Sequence, residues 1–295
     1  MTATSAQADI RGLDIDKLAK GFADEEIILK RYVTNSSTSA REIRWYAKTA
    51  GFLTGTPNSE AITTSQIANT SFKARPFVTE QSWTRNTSYV RKYFVESPLI
   101  SDEDIKDSDI DVLATNLRDL VRSVEYQVEL RIWDVLTESR SVQNINEEAI
   151  IEEWDDPVNC NPINDILSAK SKIRAYSYNP EGAILLMNDD THRWLLSWLI
   201  NTKGSSIPAF ASQKVESGVV MEILGVRVVV AQFVTADHAC LFVPQRAATW
   251  KSFMPITART IEEVGIGQKI RVWEEGEAIL TDPKAVCLLS NVGPS

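Results

Sequence analysis

Apolar residues recur along this chain in two different periods, and the change from one to the other divides it. Ile110, Leu113, Leu117, Leu120, Val121, Val124, Val128, Ile132 and Leu136 fall three or four apart, which predicts one amphipathic helix over about 109–137. Ser101-Asp-Glu-Asp and Ser108-Asp ahead of it supply capping side chains and first-turn acids. At 1.5 Å per residue this helix is roughly 40 Å long, enough to run the length of a domain. Upstream the pattern is weaker. Residues 9–32 carry Ile10, Leu13, Leu18, Phe22, Ile27 and Ile28 among charges, interrupted by Gly12 and Gly21, which predicts one or two short helices on an extended arm. The polar run 34–39 breaks that arm, and 40–49 predicts one more short helical stretch.

Between Gly51 and Ser97 the period falls to two. The runs 72–78 and 89–95 predict the strands of a long hairpin. In the second run Tyr89, Arg91, Tyr93 and Val95 alternate with Val90, Lys92 and Phe94, as in a strand exposed on both faces. An isolated two-stranded ribbon is marginal in water, so this one must pack on something else. After the long helix come a helix from Asn161 to about Tyr176, an apolar strand 183–187, a capping cluster 188–191 and a helix 192–200. A polar stretch, 201–217, separates this α-β-α unit from a hairpin over 219–231 that turns near Gly225. Further strands are predicted at 240–243, 269–273 and 285–289, and no internal repeat is visible.

Composition narrows the function classes. At 295 residues, 43% hydrophobic and 24% charged, the chain is a folded protein with one or two cores. Its 40 acidic and 31 basic side chains give a formal charge of −9, which argues against a protein that grips nucleic-acid phosphates. No secretion signal opens it and no apolar run is long enough for a membrane span. The three cysteines, Cys160, Cys240 and Cys287, lack metal-site spacing and suit a reducing compartment.

Candidate chemistry is sparse. His192 follows a helix cap, and His238 with Cys240 offers too few ligands for zinc. Neither a glycine-rich phosphate loop nor a nucleophile elbow occurs. The acidic pairs Glu152-Glu153, Asp155-Asp156 and Asp189-Asp190 read as caps and solvated turns. The tryptophans say more: Trp133, Trp194 and Trp198 fall on predicted helices and are expected in the core, whereas Trp83 sits on the ribbon between Ser82 and Thr84. A large ring there is expected to be covered by a partner, since tryptophan is enriched at binding hot spots.

The order of elements, with the returning strand Ser82–Ile100, the strand-to-helix step Gly182–Thr191 and the hairpin Leu224–Val230, resembles the major capsid proteins of tailed double-stranded DNA viruses, the Hong Kong 97-type fold. The resemblance covers nearly the whole chain. It implies an α+β fold with an N-terminal arm over 1–50, an extension-loop β-hairpin over 51–97, a peripheral domain from 98–160 and 245–295 with spine helix 109–137, and an axial domain over 161–244. It also implies a non-enzymatic subunit that self-assembles into pentamers and hexamers, needs no cofactor or metal, and encloses DNA without sequence-specific binding or a membrane. Such a subunit is made in the host cytoplasm and ends in the virion. Because the chain begins almost directly with the arm, a separate scaffolding protein or none is implied, together with portal and decoration proteins. Neither a catalytic residue nor a covalent cross-link is carried over. The expected intersubunit contacts are Phe72, Lys73, Arg75, Phe77, Trp83, Arg85, Tyr89, Arg91 and Tyr93. An encapsulin-like nanocompartment shell is the alternative on the same fold, and a small-molecule enzyme built on the α-β-α unit is the alternative from another class.

Overall fold

A computed structural model describes residues 15–24, 27–48, 72–73, 83–103, 112–137, 145–156, 158–200 and 222–294. The chain is α+β. Its elements, in order, are helix α1 (15–24), strands β1 (Thr34–Ser37), β2 (Glu42–Lys48), β3 (Trp83–Tyr89), β4 (Arg91–Glu96) and β5 (Ile100–Ser101), then helix α2 (Val112–Thr137). There follow β6 (Asn146–Ala149), α3 (Pro162–Arg174), β7 (Ile184–Met187), α4 (Asp189–Trp198), β8 (Glu222–Ile223), β9 (Val226–Val230), β10 (His238–Phe242), β11 (Ala248–Glu263), β12 (Gly267–Leu280) and β13 (Val286–Ser290).

Helix α2 forms where the periodicity places it and buries Leu117, Val121, Val124, Val128, Ile132 and Leu136. It lies against a five-stranded sheet ordered β1-β11-β12-β4, with β5 also on β12. The frame of that sheet is the antiparallel pair β11–β12, in register from Ala248↔Leu280 to Glu263↔Gly267. Sequence reading found only 269–273 of this pair. The register shifts on both sides of Met254, and Pro255, which has no N–H to give a ladder, falls in the second irregularity. Gly276 is required here because a Cβ would lie 2.4 Å from the Trp250 ring that crosses β12.

The second sheet has six strands ordered β6-β13-β10-β7-β9-β8. Strands β7 and β13 are buried along their whole length, which explains their continuous apolar runs. Asn161 caps α3, accepting from the Asn164 N–H at 3.3 Å. Asn188 caps α4 and donates through Nδ2 to the Val234 carbonyl at 2.7 Å, tying helix to sheet. Leu224 and Gly225, both with positive φ, form the predicted two-residue turn between β8 and β9. Strands β6 and β13 belong to this sheet, so the 98–160 and 245–295 segments each contribute to both sheets.

Three sequence expectations are overturned. Residues 42–48 are a strand, not a helical stretch: Ile43, Trp45 and Ala47 are buried while Glu42, Arg44 and Tyr46 are exposed, a period of two. The run 89–95 is not one ribbon strand exposed on both faces: it is divided, and in its second part Tyr93 and Val95 pack toward the cores while Lys92 and Phe94 face solvent. β3 pairs antiparallel with β2, and after Val90 the chain leaves this ribbon and enters the five-stranded sheet as β4, paired with β12. The expected partner run, 72–78, lies largely outside the described residues. Residues 15–24, the described helix of the arm, are folded back onto the subunit rather than extended. Helix α1 buries Ala19 and Ala23 against Leu117, Val121 and Val124 of α2 and Ala258 and Val272 of the sheet, forming a second core apart from the main one.

Candidate assembly surface

The β2–β3 ribbon has two unlike faces. Cross-strand partners share a face, so the register Ile43↔Ser88, Trp45↔Asn86, Ala47↔Thr84 defines one side, which joins the main core. There the Trp45 indole Nε1 donates to Ser88 Oγ at 2.9 Å. The other side pairs Glu42↔Tyr89, Arg44↔Thr87, Tyr46↔Arg85 and Lys48↔Trp83. On that side Trp83 is 50% exposed, Tyr46 55% and Tyr89 66%, with the guanidinium groups of Arg44 and Arg85 among them. Arg44 is partly neutralised by Glu42 at 3.0 Å, whereas Arg85 has no ion pair among the described residues.

Of the predicted contact residues, Trp83, Arg85 and Tyr89 therefore share one outward face, and the structure adds Tyr46 and Arg44, which the helical reading of 40–49 concealed. Phe72 and Lys73 are exposed, and Lys73 has a positive φ of 74°. Arg75 and Phe77 lie outside the described residues. Arg91 and Tyr93 are not on the ribbon. Arg91 pairs with Glu277 at 3.2 Å, and Tyr93 is half-buried beside Trp250, ring centroids 6.5 Å apart. Both hold β4 in the subunit.

Sequence reading missed a buried layer of carboxylates between α2 and β12. Glu129 accepts the backbone N–H groups of Leu29 and Lys30 at 2.5 and 3.0 Å, capping the short 3-10 turn that leads out of the arm. The Lys30 ammonium reaches Glu274 at 2.7 Å and Glu125 at 3.5 Å, and the Trp250 indole also donates to Glu274, at 3.2 Å. Farther along, Arg131 binds Glu277 through two nitrogens at 3.0 and 2.6 Å. Burial alone pulls Lys30 down, but Glu274 and Glu125 outweigh it and hold its pKa above the ordinary value. Burial, then the charge of Glu274, pushes Glu125 up to about 8. Burial and the facing Glu274 thus favour a proton on this pair of carboxyls. That proton gives the facing carboxyls a donor, which they need because Oε1 of Glu125 and Oε2 of Glu274 are otherwise unbonded. The layer fixes the arm to α2.

No family model and no curated protein matches the chain by sequence. Solved structures do match. A virus-like particle from Pyrococcus furiosus superposes with a TM-score of 0.63 at 11% identity, covering 95% of this chain and 99% of that one. The capsid of the cyanophage P-SCSP1u gives 0.63 at 11%, covering 89% and 87%. The capsid of a native GTA particle gives 0.61 at 11%, covering 90% of each. The fold is the Hong Kong 97-type capsid fold.

On this fold the remaining candidate side chains are placed as follows. His192 is buried on α4, and burial lowers its pKa. His238 meets Asp237 through Nδ1. Burial raises the thiol pKa of Cys160 to about 11 and that of Cys287 to about 12, so both stay protonated. Asp189 and Asp190 open α4, and Asp156 closes a turn on the Val158 N–H at 2.9 Å. Among the described residues no three His, Cys, Asp or Glu side chains gather as a metal site. The exposed rings of Tyr46, Trp83 and Tyr89 share one surface, the outer face of the ribbon.

Proposed function

We propose that this chain is the major capsid protein of a tailed double-stranded DNA virus, assembling as pentamers and hexamers into the icosahedral head that encloses the genome. The observation that carries this reading is the ribbon. On a capsid-type fold, it holds three large aromatic rings and two arginines in water on one face, while its other face is anchored in the core. A patch of that kind on one copy, meeting a different patch on the next, makes a heterologous contact that closes rings and shells.

In this reading residues 1–50 supply the N-terminal arm, whose strand β2 pairs with β3 of the extension loop, 51–97. α2 is the spine of the peripheral domain, and the sheet around β7 and α4 belongs to the axial domain. The charge of −9 suits a wall that does not grip packed DNA. No helix among the described residues is long and apolar enough to cross a membrane. The work is assembly, not catalysis, with portal, scaffolding and decoration proteins as partners. Synthesis takes place in the host cytoplasm and the virion is the destination.

Electron microscopy of the purified full chain tests this. Closed shells with five- and six-fold capsomers are the expected result, and monomers or dimers under every assembly condition would overturn it. Shells that hold a protein cargo in place of DNA would favour the nanocompartment reading.

A further inference from the structure

The loop that joins β6 to α3 also exposes apolar side chains in a fixed frame. Ile151 is 91% exposed and Val158 82%, yet Trp154 between them is buried. Trp154 donates through Nε1 to Asp165 at 2.9 Å and through its backbone N–H to the Val292 carbonyl at 2.8 Å. Asp156 accepts from the Val158 N–H at 2.9 Å and the Asn159 side chain at 2.9 Å, closing the turn. Two aliphatic side chains are thus held in water by a loop that has little freedom to withdraw them. Between them in the sequence lie Glu152, Glu153 and Asp155, none ion-paired among the described residues. The exposed side chains of this stretch are apolar and negative. The outer face of the ribbon is apolar and positive.

Resting on the shell reading above, we propose that residues 151–156 and 158 of one copy receive the outer face of the β2–β3 ribbon of another copy. Tyr46 and Trp83 would cover Ile151 and Val158, with Arg44 and Arg85 facing Glu152 and Asp155. Charge complementarity favours this loop over the β11–β12 turn, which exposes Val264 at 93% and Ile266 at 57%. There Lys269 neutralises Glu263 at 2.8 Å and Glu262 alone has no ion pair among the described residues, against three such acids here. Opposite charges across the contact fix register and exclude wrong pairings. Because the two patches differ, the contact is heterologous and propagates.

A charge swap tests the pairing. Arg44→Glu with Arg85→Glu, and separately Glu152→Arg with Asp155→Arg, should each lower the yield of closed shells about tenfold or more, since like charges are then brought together. Thermal unfolding of each subunit should be unchanged. All four substitutions in one chain should restore most of the yield. Normal yield from either pair alone, or no recovery in the combined variant, would overturn this contact and leave the shell reading standing; a wild-type chain that forms no shells would overturn both. As a measurement that reverses no charge, Tyr46→Cys with Ile151→Cys should give an intersubunit disulfide ladder on oxidation of assembled shells. A ladder from Tyr46→Cys with Val264→Cys in its place would move the acceptor to the β11–β12 turn and refute the proposal.

Discussion

The six-stranded sheet and the β2–β3 ribbon bury their strands in opposite ways. In the sheet, β7 and β13 present Ile184–Met187 and Val286–Ser290 with every position buried, covered by helices and neighbouring strands. In the ribbon only Ile43, Trp45 and Ala47 are buried, while Tyr46, Trp83 and Tyr89 on the far side meet solvent. The sheet completes itself within one chain and the ribbon does not. The difference separates residues that hold the subunit together from residues that, in the shell reading, hold subunits to one another.

Substitutions should break that contrast in a definite order. Leu186→Ala, in the fully buried β7, is expected to lower unfolding free energy by about 2–5 kcal/mol, measured by chemical denaturation. Glu129→Ala removes the acceptor of two backbone N–H groups and is expected to cost about 1–3 kcal/mol. It should also free the arm, so limited trypsin digestion should cut at Lys20 and Lys30 faster than in the wild type. A smaller effect follows from Glu125. Its pKa is raised from the ordinary 4.5 to about 8, so between those values the folded chain holds a proton that the unfolded chain has lost. Stability should therefore fall as pH rises from about 4.5 to about 8, and Glu125→Gln should flatten that slope in denaturation curves taken across the range. Smallest in the subunit is Trp83→Ala, expected to change its stability by less than about 0.5 kcal/mol. Its consequence belongs to the particle, where shell yield should drop. Unchanged yield would make Trp83 an ordinary surface residue.

Much of this was legible in the sequence. Helix α2, the α3–β7–α4 unit and the turn at Leu224-Gly225 follow from periodicity, capping and turn chemistry that act within a few residues. Trp83, Arg85 and Tyr89 were correctly placed on an exposed ribbon, but its other strand was not found. The alternation of Ile43, Trp45 and Ala47 was present, yet spans seven residues in a setting of charges and Ala that also suits a helix. β11 was hidden by Lys251 and Pro255, which a strand tolerates here because its register shifts around Met254. The carboxylate layer was beyond local reading altogether. Lys30 finds Glu125 and Glu274 across 95 and 244 residues of chain, a meeting that only the tertiary fold arranges.

A reconstruction of the particle formed by the wild-type chain tests the central claim most directly. The expected result is a closed shell in which Tyr46, Trp83 and Tyr89 of each copy are buried against a neighbouring copy. A shell that leaves that face open to solvent, or a chain that forms no shell, would contradict it.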